Sequence, residues 1–267
     1  MIPPPFKRLF PVLVAVCLTL TTRAWADDPP AEPAISEPVS TPTPVADTEK
    51  IDNMSPQLEA IDIPTADILD PMTFSTSFRF YNEGGLTSRF IVGPLKYVNL
   101  GVSFDAQHFI GSGDPHMIRP SIFFKVKPYD GSDYLPALAL GYDNQGMLWQ
   151  NDTDRFLHRE RGFYLVGSHA IFVPNFDVHA GMNIFDFDED AAVYGFFGTT
   201  FKITPNFALL MEYDNIRNGR DNRFNVGGRF WVTQNFNIDL AARNIPHGED
   251  RGGERIVRLN YVGRFPI

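Results

Sequence analysis

The chain has 267 residues, 43% of them hydrophobic and 24 of them Phe, and carries a formal net charge of −9 from 32 acids against 23 Lys and Arg. That balance excludes the basic footprint of a nucleic-acid-binding protein, and a single cysteine excludes a disulfide framework. At a mean hydropathy of −0.16, with no other run near the roughly 20 apolar residues of a spanning helix, the apolar residues must be dispersed along the chain.

Residues 1–26 read as a secretory signal peptide. Lys7 and Arg8 form its basic start, residues 9–20 its apolar core, and Ala24-Trp25-Ala26 a small-x-small site that predicts cleavage after Ala26. Cys17 lies inside it behind Val16, where a lipoprotein signal carries Gly, Ala or Ser, so no lipid anchor is expected. Losing Lys7, Arg8 and Arg23 and no acid would take the net charge from −9 to −12. Residues 27–60, rich in Pro and acid, have too little to bury to offset their ordering entropy and are expected to be a disordered periplasmic linker. Residues 61–71 are a transition segment whose Ile61, Ile63 and Ile68 have two destinations, the periplasmic mouth of the following domain or its interior.

From Met72 to Ile267 the chain divides into twelve alternating segments. The first sets Phe74, Phe78 and Phe80 against Ser75, Ser77 and Arg79. The third sets Val98, Leu100, Val102, Phe104 and Ala106 against Asn99, Gly101, Ser103, Asp105 and Gln107. Residues 161–172 and 193–203 alternate poorly and are assigned from spacing. Asn175-Phe176, Asn206-Phe207 and Asn235-Phe236 recur 31 and 29 residues apart, the period of one hairpin with strands of about ten residues. The prediction is an all-β fold, a transmembrane antiparallel barrel of about 12 strands over residues 72–267. Short turns after the even segments and longer loops after the odd ones place both ends in the periplasm. Tyr97, Phe176, Phe207, Phe236 and Phe265 then form an aromatic girdle at one interface. Phe265, close to the end of the last strand, looks like the outer-membrane assembly signal, although Pro266-Ile267 follow it. The expected location is the outer membrane, with its lipid, lipopolysaccharide and the barrel-assembly machinery as partners.

The barrel resembles the YjbH-like outer-membrane family associated with exopolysaccharide gene clusters. The resemblance is carried by Ile63-Pro64-Thr65-Ala66-Asp67, Leu100 to Asp105 leading into Ile110 to Asp114, Pro136 to Gly146, Gly162 to Val166, and Glu212-Tyr213-Asp214. It spans roughly residues 61 to 265 of a chain much shorter than the large members, and it implies a role in polysaccharide export, with export proteins as partners.

Alternation assigns Arg79, Arg89, Arg119, Lys125, Arg223, Arg229, Arg243, Arg258 and Arg264 to the lumen, facing Asp105, Asp177, Glu212, Asp214 and Asp239. Such charges either pair into a stiffening network or line a path for anionic solutes. Asp214 and Arg223 flank one loop and are expected to pair across strands. No catalytic constellation is recognisable around Ser168-His169. Asp177 and His179 share a face without a third metal ligand, and no cofactor or metal is expected. The acidic run Asp186, Asp188, Glu189 and Asp190 reads as a solvated loop. The expectation is a non-enzymatic outer-membrane barrel assisting exopolysaccharide export or envelope assembly, with a small passive channel or a lipid-modifying enzyme as alternatives.

Overall fold

The computed structural model describes residues 54–266 except 151, 153–154, 159, 172, 174, 186–191, 218–221 and 246–252. The predicted signal peptide, the linker as far as residue 53 and the acidic run at 186–190 lie outside the described residues. The strands, in chain order, are β1 (Thr73–Tyr81), β2 (Gly85–Leu95), β3 (Val98–Gln107), β4 (His116–Met117), β5 (Ser121–Tyr129), β6 (Ala137–Asp143), β7 (Met147–Gln150), β8 (Arg155–His158), β9 (Gly162–Ala170), β10 (Phe176–Ile184), β11 (Tyr194–Thr204), β12 (Phe207–Ile216), β13 (Arg223–Thr233), β14 (Phe236–Arg243) and β15 (Glu254–Arg264).

Twelve of these close a barrel; β4 is a short strand added to β3 outside the ring, and β7 and β8 form a separate hairpin. Each barrel strand pairs antiparallel with the next, β3 with β5 and β6 with β9 bridging the insertions, and β1 pairs with β15 to complete the ring. No edge remains unpaired in such a ring, which is the condition for a sheet to sit in hydrocarbon. The alternation does what the pattern requires. On β3, Leu100, Val102 and Phe104 point outward and are exposed, while Asn99, Ser103 and Asp105 are buried inside. Ala106 departs from this pattern: it lies opposite Met117 of β4 and is buried.

The two weakly alternating segments form β9 and β11, and the cause of their weak signal is on their inner face. Phe163, Leu165 and Phe197 point outward, but Tyr164, Val166 and Phe196 are buried apolar residues pointing inward. Apolar residues on both faces erase a period of two. What they pack against is the segment before β1. Residues 55–69 enter the barrel from the end that carries the short turns, Ser55 N–H donating to Gln234 O at 3.1 Å in the β13–β14 turn. Inside, the segment doubles back: Ala60 N–H donates to Ile63 O at 3.0 Å, Thr65 N–H to Leu58 O at 3.2 Å, and Glu59 bridges Pro64. Of the two destinations open to residues 61–71, the structure takes the interior. The linker therefore ends earlier than residue 60, because Ala60 is as buried as Ile61.

The chain between β6 and β9 is an insertion in the ring. It contains the β7–β8 hairpin, tied to β3 by Gln107 Nε2 donating to Trp149 O at 3.0 Å.

Candidate functional site: the plugged lumen

Three apolar seats hold the inserted segment. Ala60, Ile63 and Ala66 pack with Ala139, Tyr164, Val166 and Phe196; Ile61 packs with Leu210 and Ile256; Leu69 packs with Ile91 and Phe123. Ile63 fits because β11 offers a glycine beneath it. A Cβ on Gly198 would lie 2.4 Å from Ile63 Cδ1. Together these contacts act as a plug that fills space a twelve-stranded ring is too wide to fill with its own side chains.

Around the plug the charges divide into two walls. Five adjacent strands, β2, β1, β15, β14 and β13, contribute Arg89, Arg79, Arg258, Arg243 and Arg229. Into this arc the plug sends two carboxylates. Glu59 meets Arg258 Nη1 at 2.5 Å and Arg89 Nη1 at 3.3 Å, and Asp62 meets Arg79 and Arg243 Nη1, each at 2.9 Å. Plug carbonyls take further guanidinium donors: Arg229 Nη2 donates to Glu59 O at 3.1 Å and Ala60 O at 3.0 Å, and Arg258 Nη1 to Ile61 O at 3.1 Å. Burial alone would push the Glu59 carboxyl up, but Arg258, Arg89 and Arg79 outweigh it and hold the group at about 2. Asp62 is likewise held well below the usual carboxylate range, burial being overcome by Arg243 and Arg79.

The opposite wall reads the backbone. Glu212 Oε1 accepts the N–H of Ile61 at 2.5 Å and of Ile63 at 3.1 Å, and Asp62 N–H reaches Oε1 and Oε2 at 2.9 and 3.0 Å. Three successive amides converge on one buried carboxylate. Lys125 Nζ collects the carbonyls of Leu58, Thr65 and Asp67 at 2.9 to 3.1 Å, and Asn99 Oδ1 accepts Leu69 N–H at 3.2 Å. Ser168 Oγ accepts Ala66 N–H at 2.8 Å and lies 2.8 Å from His179 Nδ1, with Thr200 Oγ1 3.2 Å from Nε2. This serine and histidine come together across β9 and β10, which the sequence did not reveal. Thr200 stands on the far side of the ring, and the serine hydroxyl is engaged by the plug backbone.

At the loop end, Met147 Sδ lies 3.6 Å from Arg79 and from Arg243, so the β7–β8 hairpin touches the same arginines from above. His158 contacts Glu254, and Arg161 forks onto Asp214 at 2.8 and 2.9 Å. Burial pulls the His158 imidazole down to about 4, Glu254 opposing and Arg243 adding to the shift. Cavities of about 70 and 50 Å³ lie beside the plug among the described residues. Glu59, Asp62, Arg89, Asp143, Arg161 and Arg258 line both, and each has room for only a few waters.

Of the lumen charges expected from alternation, Asp105, Lys125, Glu212, Asp214, Arg223, Arg229, Arg243, Asp239 and Arg258 are buried inside, and Arg79 and Arg89 nearly so. Asp105 is met by Tyr81 and Thr87 hydroxyls. Asp177 lies at the edge, 3.9 Å from Lys202. Two assignments need correction. Arg119 is exposed and stacks 5.3 Å from the Trp149 ring, because β5 begins only at Ser121, after Pro120, and alternation does not extend back to it. Arg264 keeps the inward parity of Arg258 but is the last residue of β15 and is exposed at the mouth. Asp214 and Arg223 are register partners as expected, yet Asp214 also takes Arg161, from the loop before β9. Asp143 faces inward, as its parity on β6 requires, and takes Arg89, whereas Arg161, Glu254, Glu59 and Asp62 were not anticipated. Acids in a Pro-rich acidic stretch look solvated, and nothing in their spacing marks Glu59 and Asp62 as buried.

Tyr97, Phe176, Phe207, Phe236 and Phe265 all fall at the short-turn end. Phe207 lies 4.7 Å from Phe230, Phe176 5.7 Å from Phe201, and Phe265 5.0 Å from Phe74. Phe236 sits opposite Tyr261, and Tyr97 donates to Asp130 at 2.7 Å.

No protein-family model matches the chain, and no curated protein matches it. Among solved structures it is similar to the KdgM porin, at 12% identity over 70% of this chain and 98% of that one, with a TM-score of 0.48. It is also similar to the Acinetobacter baumannii outer membrane protein Omp33, at 14% identity over 72% and 97% with a TM-score of 0.34. The P. putida toluene transporter TodX shows 12% identity over 79% and 74%, with a TM-score of 0.36.

Proposed function

We propose that this chain is a non-enzymatic outer-membrane conduit, held closed by its own residues 55–69, that serves the export of an exopolysaccharide. The observation that supports the conduit is how the lumen is filled. A closed twelve-stranded ring with an apolar exterior encloses a largely polar lumen, and residues 55–69, which belong to no barrel strand, fill much of it. Such a segment can leave without breaking a strand pair. The polysaccharide-export role follows the YjbH-like resemblance, and the signal peptide, outer-membrane lipid, lipopolysaccharide and the barrel-assembly machinery belong to the same proposal. Single-channel recording in planar bilayers tests the conduit. The wild-type mature chain is expected to open rarely, whereas Ile61→Asp/Ile63→Asp, which makes two apolar seats unfavourable, is expected to conduct steadily. If the barrel refolds, shown by heat-modifiable gel mobility, and neither chain conducts, the conduit reading fails.

A further inference from the structure

Resting on the conduit reading, we infer that the arginine arc is a binding site for a carboxylated oligosaccharide, and that Glu59 and Asp62 occupy it in the closed state as the ligand's carboxylates would. The argument is one of charge matching. Arg79 and Arg258 stand directly opposite one another across β1 and β15, a like-charge arrangement that is unfavourable unless an anion lies over it. The strands supply three carboxylates to five guanidiniums. Asp239 takes Arg229 and Arg258, Glu254 takes Arg243, and Asp143 takes Arg89. Among the described residues, the hydrogen-bond acceptors of Arg79 are Asp62, the carbonyl of Ile61 and the sulfur of Met147. Across these five guanidiniums the shortfall is two negative charges, and the plug brings two; Arg161 and Arg223, which line the same cavity, lie beside Asp214. Remove the plug and the arc presents two uncompensated positive charges to the vacated lumen.

The shape of what it would accept is drawn by the plug as well. Two carboxylates three residues apart alternate with carbonyl oxygens at Glu59, Ala60 and Ile61, all facing guanidinium donors. An oligomer of uronic acids presents the same succession, carboxylates separated by neutral oxygen acceptors, on a chain of comparable thickness. Arginine forks suit planar carboxylates in particular. The arc is preorganised, since each guanidinium stands on a strand of a closed sheet. Plug and ligand therefore compete for one site.

The test uses the full mature chain and its Glu59→Gln/Asp62→Asn variant, which keeps every apolar anchor of the plug. The probes are a trimeric uronic acid and a neutral hexose trimer of equal length. In planar bilayers the variant is expected to conduct with a preference for anions and to be blocked by the uronic-acid trimer but not by the neutral one. By calorimetry in detergent, the variant is expected to bind the uronic-acid trimer at least about tenfold more tightly than wild type, because the competing carboxylates are gone. Adding Arg79→Gln to the variant should weaken that binding by about tenfold again, the loss of one charge-assisted contact. A variant that conducts but prefers cations, or that is blocked equally by both trimers, overturns the inference and leaves the conduit standing. Absence of uronic-acid binding by calorimetry overturns it without reference to conduction. Silence of the Glu59→Gln/Asp62→Asn and Ile61→Asp/Ile63→Asp variants alike overturns the conduit reading, and this inference with it.

Discussion

Glu212→Ala isolates the plug from the barrel that holds it. The carboxylate receives the backbone N–H groups of Ile61, Asp62 and Ile63 and a fourth donor, Asn225 Nδ2, at 3.0 Å. If the plug stayed in place, truncation would orphan three buried amides, each costing about 1 to 3 kcal/mol, so about 3 to 9 kcal/mol in all. The plug has an alternative that a strand does not: it can withdraw into water, where those amides are hydrated. The penalty therefore appears as release, and the cost to the barrel is limited to the free energy of docking. Even the lower bound of about 3 kcal/mol shifts the closed-to-open ratio by about two orders of magnitude. Hydrogen exchange followed by mass spectrometry should show amides 57–69 exchanging about a hundredfold faster while β1 and β15 amides keep their protection. Unchanged protection at residues 61–63 would refute the assignment of Glu212 as the plug's anchor, and equal loss across the strands would refute the independence of plug and barrel.

Other outcomes follow from the same geometry. Gly198→Val places side-chain atoms where Ile63 Cδ1 now sits and should also release the plug, read as faster proteolysis near residue 60 with heat-modifiable mobility intact. Leu209→Arg, on the outward face of β12, should destabilise the barrel by about 2 to 4 kcal/mol in urea unfolding from lipid vesicles, since it puts a cation in hydrocarbon. Asp214→Ala should cost about 3 to 5 kcal/mol and not the fraction expected of an exposed pair, because Asp214 is buried and its loss strands Arg161. The pH dependence is ordered in two steps. His158, depressed to about 4, contributes stability above its ordinary value near 6.5 that is lost as pH falls through 4. Glu59, depressed to about 2, keeps its contribution above about 4.5 and loses it as pH falls through 2. Exchange in the β7–β8 hairpin should therefore accelerate as pH falls from about 6.5 towards 4; unchanged exchange over that window would contradict the His158 assignment.

How much of this was legible depends on which force shaped each segment. Where one face meets lipid and the other meets polar lumen, as on β3, the period of two is nearly complete and the strand can be read directly. β9 and β11 obey the same geometry but receive the plug on Tyr164, Val166 and Phe196, so their inner face is apolar and the alternation disappears. That weak pattern was itself a trace of the plug, since an apolar lumen face needs an apolar partner. The lumen charges on strand interiors followed from parity, whereas Arg119 and Arg264 lay beyond where parity and burial coincide. Glu59 and Asp62 could not be recognised at all, because their burial depends on arginines from five strands brought together only by closure of the ring.

The central claim is that residues 55–69 close the lumen and can leave it. Ala66→Cys with Ser168→Cys joins plug to wall where Ala66 N–H now meets Ser168 Oγ at 2.8 Å, and the only native cysteine, Cys17, lies within the predicted signal peptide. Introduced together with Glu212→Ala and recorded as single channels, this chain is predicted to be silent when oxidised and to conduct on reduction. Equal conduction in both states, or silence in both, would contradict the account.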